Sequence, residues 1–188
     1  DKNYIDLKDF RVLQPALNYY EDHGTPTEQL RTFYYQGRIY WNVSDMSKAL
    51  QMFLKALERG KESDDKLTKA RAWFAQIDPN SQLRAFDKAI EAGKQAACYF
   101  RQSGRIDSYA HCLMDIGDVY TMRLEADSAW KYLNECRALY PRMSAERRYD
   151  FYNNYLIAVY TFCGVDSIKK GIAEYTSHVP SSRWDSLT

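Results

Sequence analysis

The histidines and cysteines are the residues of this 188-residue chain best suited to chemistry. Among the three histidines, His111 stands out because Asp115 and Asp118 follow it at spacings that place all three on one helix face. Such a set could act as an acid–base or metal site, and a polar patch facing a partner explains the same spacing. Cys112 is adjacent to His111 but projects about 100° away on a helix, so the two cannot form a catalytic pair.

The remaining histidines and the cysteines have structural interpretations. His23 and His178 lie near predicted helix ends, where a histidine interacts favourably with the last carbonyls. No C-x-x-C pair is present, which excludes a zinc ribbon or a thioredoxin-like motif. We expect buried free thiols, with a disulfide between helices left open if the protein is exported. The cysteines are Cys98, Cys112, Cys136 and Cys163.

Sequence motifs and charge point away from catalysis and nucleic acids. The chain contains no Gly-rich phosphate loop, no G-x-S-x-G and no H-E-x-x-H, so we expect no enzyme activity, cofactor or metal. Its 26 basic and 25 acidic residues give a net charge of +1, too little to attract nucleic acid. Apolar runs are shorter than the roughly 20 residues that a membrane helix needs.

An internal repeat organises the chain. Segments 30–58 and 110–141 share small, aromatic, small, large and small residues at identical offsets. In the first segment these are Gly37, Tyr40, Ala49, Phe53 and Ala56. In the second they are Gly117, Tyr120, Ala129, Leu133 and Cys136. Each segment predicts two antiparallel helices, with small residues where the helices approach and large residues between neighbouring hairpins.

These residues resemble the signature of the tetratricopeptide repeat (TPR), whose period is about 34 residues. The resemblance implies an all-α fold, a right-handed α-α superhelix built as a TPR-like solenoid. The phrase from Leu17 to Gly37, which contains Gly24-Thr25-Pro26, is also similar to TPR regions of exported regulators and lipoproteins common in Bacteroidetes. That resemblance implies an envelope-facing location; without it we expect a cytoplasmic one.

We predict one TPR-like array over residues 1–188, a fragment of a longer protein. Its parts are a half repeat at 14–22, a repeat at 26–60, a degenerate repeat at 64–103, a repeat at 107–141 and a weak repeat at 145–179. Thr25 to Glu28 reads as a capping box, and Ser44 reads as the cap of the following helix.

The middle and last repeats are less regular. We predict a helix from Lys66 to Ile77, a break at 78–81 and a helix over 82–102, with Ala85 at the small site and the register open by one turn. Trp73 then occupies the glycine position. In the last repeat we predict helices 149–162 and 167–178, with Gly171 and Tyr175 at the small and large sites.

The predicted partner-binding face is the concave side lined by first helices. In the first good repeat it comprises Arg31, Tyr34, Arg38 and Trp41. In the second it comprises His111, Met114, Asp118 and Thr121, and Asn153, Leu156 and Tyr160 are weaker candidates. Arginine can bind a carboxylate and the aromatic rings can anchor an apolar side chain, although Tyr34 and Trp41 could instead pack on a flanking helix.

Chaperone-binding relatives hold a peptide carboxylate with a Lys/Asn/Lys/Arg set. Tyr34 and Arg38 stand where a Lys and an Asn would be expected, so we do not expect that activity. We expect a non-catalytic scaffold or sensor module that binds a protein or peptide within a larger regulator. A carbohydrate or small-ligand binder of the cell envelope is the alternative, and a homodimer stays open.

Overall fold

A computed structural model describes residues 14–178 of the chain, and all regular structure within that range is helical. The helices are α1 Gln14–His23, α2 Pro26–Asn42, α3 Met46–Arg59, α4 Lys66–Phe74, α5 Ile77–Gln82, α6 Phe86–Gln102, α7 Ile106–Met122, α8 Ala126–Ala138, α9 Ala145–Cys163 and α10 Val165–His178, with a 3-10 turn Tyr140–Arg142 after α8. The predicted all-α class is confirmed. No helix in this range is both long and apolar enough to cross a bilayer.

The chain divides into two compact units, which we describe separately. Unit 1 ends at Gly104 and contains α1 to α6, whereas unit 2 begins at Arg105 and contains α7 to α10. Within each unit, a first helix packs against the second helix that follows it: α2 against α3 and α4–α5 against α6 in unit 1, α7 against α8 and α9 against α10 in unit 2.

Side-chain caps start several of these helices. The predicted capping box is present, because the Thr25 hydroxyl accepts from the Glu28 backbone and the Glu28 carboxylate accepts from the Thr25 backbone. The prediction for Ser44 is wrong. Asp45 caps α3 by accepting from the Lys48 N–H, and Ser44 adopts a left-handed backbone with φ 63°.

Small residues let the paired helices approach, as the repeat pattern predicts. A Cβ added to Gly37 would lie 2.5 Å from the Phe53 ring, closer than real side chains ever pack. A Cβ added to Gly117 would lie 3.1 Å from Leu133. The unit 1 core around this contact is buried; it comprises Leu30, Phe33, Tyr34, Ala49, Phe53, Ala56 and Ala72.

The turns between first and second helices recur every forty residues. Ser44, Arg84, Leu124 and Gly164 all have positive φ, at 63°, 56°, 61° and 77°. The period is therefore 40 residues rather than about 34, and the two matched segments are two periods apart. The first three turns share one pattern of backbone hydrogen bonds although none of their positive-φ residues is a glycine, whereas Gly164 has ψ 179° and forms a different turn.

The middle repeat corrects the predicted helix bounds. Its first helix ends at Phe74, the predicted break forms α5, and α6 begins at Phe86 rather than at 82. Pro79 lies inside α5 and lacks the N–H that would continue a single helix, which accounts for the interruption. The register is also one turn later than predicted, since the fully buried Ala89 takes the small site in place of Ala85.

Helices lie in the segments predicted as the first half repeat and the last repeat, with shifted bounds. Helix α1 is present, and Leu17 is its buried residue. Helix α9 begins at Ala145, Gly164 alone forms the turn, and α10 begins at Val165. Gly171 is the small site, because its added Cβ would lie 2.8 Å from Leu156. The predicted role of the Tyr175 side chain lies outside the described residues.

We expect Gly37→Ala to destabilise the protein by about 1–3 kcal/mol, because the rigid Phe53 ring must move. Gly117→Ala should be nearly neutral, since a flexible Leu133 methyl can shift and alanine favours a helix by about 0.5–1 kcal/mol over glycine. Urea unfolding of both variants measures the difference. Equal losses in the two variants would contradict this account of the close approach.

We also expect Leu124→Gly to stabilise the protein by about 1 kcal/mol, because a left-handed backbone costs a non-glycine residue about that amount. Leu124 is 71% exposed, so little apolar burial is lost. Leu124→Ala is the matched control, since it removes the side chain but retains the backbone cost. Thermal unfolding should show a gain for glycine alone, and a gain for alanine would refute the explanation.

Candidate functional site

Arg31 on α2 is exposed but bound within unit 1. Its guanidinium pairs with the Asp65 carboxylate at 2.7 Å, and that carboxylate also caps α4 through the backbone and hydroxyl of Thr68. Burial would raise the pKa of Asp65, but the hydrogen bonds from Thr68 and Arg31 outweigh it and lower the pKa below its usual value. Arg31 therefore ties α2 to the start of α4.

Tyr34 lies in the core of unit 1. Only 6% of its surface is exposed, and its ring centre lies 6.1 Å from that of Phe53. Burial raises the pKa of Tyr34, while the nearby charges of Arg38 and Arg71 partly offset the rise. The phenol therefore keeps its proton at neutral pH and can donate a hydrogen bond.

Arg38 and Trp41 form the more accessible part of the predicted face. The Arg38 guanidinium lies over the Trp41 ring, 5.0 Å from its centre, and both residues are half-buried. Trp41 also packs against the unit 1 core. One part of the Trp41 ring therefore packs against the core, and the rest stays accessible to a partner.

Arg71 on α4 was missed by the sequence analysis. It is half-buried, lies forty residues after Arg31, and is close enough to affect the pKa of Tyr34. No face residue is predicted for the middle repeat, whose register was open by one turn, so Arg71 is absent from the predicted face. A search at the 40-residue period would have found it.

In unit 2, His111 and Asp115 come together on α7. The imidazole Nε2 lies 3.6 Å from the Asp115 carboxylate. Burial, together with the charge of Arg147, lowers the pKa of His111 to about 4, so the ring is neutral at physiological pH. Asp118 is half-buried on the same helix. Over residues 14–178, no group of three or more His, Cys, Asp or Glu side chains is placed to hold a metal ion.

Other predicted face residues in unit 2 are distributed between core and surface. Met114 is fully buried, and Thr121 is buried with its hydroxyl donating to the Gly117 carbonyl at 2.9 Å. These two side chains occupy interior positions. Of the weaker candidates, Tyr160 is 59% exposed, whereas Asn153 and Leu156 are half-buried.

The cysteines differ from the prediction that all are buried. Cys112 and Cys136 are buried, and burial raises the pKa of Cys136 to about 12. Burial also raises the pKa of Cys112 well above its usual value. Cys98 and Cys163 are exposed, because the apolar residues around them in the sequence lie on other faces of their helices. All four are free thiols.

Comparison with solved structures identifies the fold. The crystal structure of BtubC (BKLC) from P. vanneervenii aligns with a TM-score of 0.78 and 15% sequence identity, covering 89% of this chain and 70% of that one. A putative kinesin light chain from Podosopora anserina, with nearly identical TPR-like repeats, aligns with a TM-score of 0.73 and 10% identity, covering 89% and 83%. No family model and no curated protein matches the sequence.

The chain therefore has the fold of TPR-like helical repeats, as the sequence signature predicts. The comparisons do not show the finer resemblance to Bacteroidetes proteins.

We expect His111 to titrate near pH 4 in the folded protein, which NMR of the imidazole protons measures. Because the unfolded chain binds the proton at its higher ordinary pKa, stability should fall as pH drops from about 6.5 toward 4. His111→Gln should flatten the stability profile in that interval. An imidazole that titrates near its ordinary pKa would contradict the desolvation described here.

Proposed function

We propose that this TPR-like array is a non-catalytic scaffold that binds a protein or peptide and forms the repeat region of a larger regulatory or sensor protein. One observation carries the proposal: α2 presents Arg38 stacked on Trp41, in a fold that generally mediates protein interactions. Arginine and tryptophan are the side chains most enriched among residues that dominate binding energy at interfaces.

The stacked pair is suited to recognition because it is already ordered. Trp41 is fixed by packing against the unit 1 core, and its ring in turn holds the Arg38 guanidinium. Little side-chain entropy is then lost when a partner binds. The aromatic ring can pack against an apolar group while the guanidinium binds an acidic one.

The proposed binding residues differ from those predicted from the sequence, because several of the predicted side chains are buried. Arg38, Trp41 and Arg71 are the central residues in unit 1, and Arg31 supports them by holding α4 through Asp65. In unit 2, the half-buried His111 and Asp118 are further contact candidates. Tyr34, Met114 and Thr121 are buried and are not among the proposed contact residues.

We expect Arg38→Glu and Trp41→Ala each to lower recovery of a specific partner about tenfold, because truncating an interface anchor costs more than 1 kcal/mol. Partners are captured on the immobilised chain, identified by mass spectrometry and titrated as purified proteins by calorimetry. Arg101→Glu is the matched control, since this exposed arginine lies on α6.

Thermal unfolding of each variant establishes that the fold is retained. Unchanged affinity in both face variants would place the binding surface elsewhere. Binding to a glycan array with no protein partner would instead favour the carbohydrate alternative.

A further inference from the structure

Four large apolar side chains are exposed on the last hairpin of unit 2. They are Ile157 and Tyr160 on α9 and Val165 and Ile172 on α10, each between 45% and 64% exposed. These four residues define the α9–α10 face. Exposed apolar residues that are scattered singly need no explanation, whereas a contiguous patch marks an interaction surface.

The four side chains project to the same side of the hairpin. Leu156 and Gly171 lie where the two helices meet, because a Cβ added to Gly171 would lie 2.8 Å from the Leu156 side chain. Ile157 and Ile172 each follow one of these contact residues, which rotates them by about 100° around their helices. Because α9 and α10 run antiparallel, the equal rotations turn both side chains toward the same side. On each helix the other exposed residue lies one or two turns away and shares that side.

The opposite side of the hairpin packs on the rest of unit 2. The ring centre of Trp130 on α8 lies 5.6 Å from that of Tyr155 and 6.1 Å from that of Phe162. Tyr155 lies two positions before Ile157, so the two side chains point about 200° apart around α9. The hairpin therefore has two apolar faces, of which one is packed and the other is exposed in the described part of the chain. A helix pair of a stacked array with a second apolar face is suited to a second layer.

Charges of both signs border this exposed side. Glu146 is exposed three turns before Ile157 on α9, and Lys169 is exposed one turn after Val165 on α10. A surface bordered by a single sign of charge repels an identical copy, whereas a surface with both signs can pair its own charges across a twofold axis. The α9–α10 face therefore suits a second copy of the chain better than a strongly acidic or strongly basic partner.

We propose that the α9–α10 face is a homodimer interface, in which the last hairpins of two copies stack about a twofold axis. Such an interface is isologous, because the same patch on each copy meets itself. Apolar side chains form its centre, and Glu146 and Lys169 lie at its rim, as in other protein interfaces. The interface does not depend on the partner-binding residues proposed in unit 1, so either proposal can fail without the other.

Sedimentation velocity at increasing protein concentration measures the association. We expect a monomer–dimer equilibrium, and we expect Ile157→Asp to raise its dissociation constant at least about tenfold, because the variant places a charge in the apolar centre of the interface. Leu54→Asp is the matched control, since Leu54 on α3 is 51% exposed and Ile157 is 54% exposed. The control should leave the dissociation constant unchanged, and thermal unfolding establishes that both variants retain the fold.

Hydroxyl-radical footprinting locates the interface without any substitution. Tyr160 and Tyr19 are almost equally exposed, at 59% and 60%, and belong to different units. Oxidation of Tyr160, measured by mass spectrometry, should fall at concentrations where the dimer forms, while oxidation of Tyr19 stays constant. A chain that remains monomeric would overturn the proposal, as would a dimer in which Tyr160 stays reactive or Ile157→Asp has no effect. A monomer that captures a different protein and loses it on Ile157→Asp would assign the face to that protein instead.

Discussion

The structure depends on how closely the two helices of a repeat approach. At Gly37 the Phe53 ring occupies the space in which any other residue would place its Cβ, and Gly117 allows a similar contact with Leu133. Large side chains from the second helix thereby fill the gap between hairpins, which a lone helix pair could not bury. The orientation of α2 is thereby fixed, and with it the position of the stacked Arg38 and Trp41 side chains.

Much of the fold could be predicted because this packing leaves a sequence record. Glycine, alanine and a large residue at fixed offsets identify both clear repeats, and Thr25 with Glu28 identifies a helix start. The middle repeat gave no such record, since Ile77 takes the position of the glycine and Pro79 interrupts the first helix. Its predicted register rested on Ala85 as the small site and was wrong by one helical turn.

Less of the candidate site could be predicted. Spacing along a helix gives the direction in which a side chain projects, but not its distance from the neighbouring helix. Tyr34 and Met114 occupy equivalent positions, and both proved buried. Arg38 lies one turn after Tyr34 and remains half-buried. Burial removes Tyr34 from the accessible face and raises its pKa, which its spacing on α2 alone does not reveal.

The repeated positive-φ turn explains how structural similarity can be high while sequence identity is low. A serine, an arginine, a leucine and a glycine have a positive φ angle at forty-residue intervals. A comparison that scores amino-acid identity treats these positions as unrelated, although Ser44, Arg84 and Leu124 form the same hydrogen-bonded turn. Chains that share an architecture built on such joints can drift to 10–15% identity while superposing well. Relatives of this protein are therefore better sought by the period and shape of their turns than by their residues.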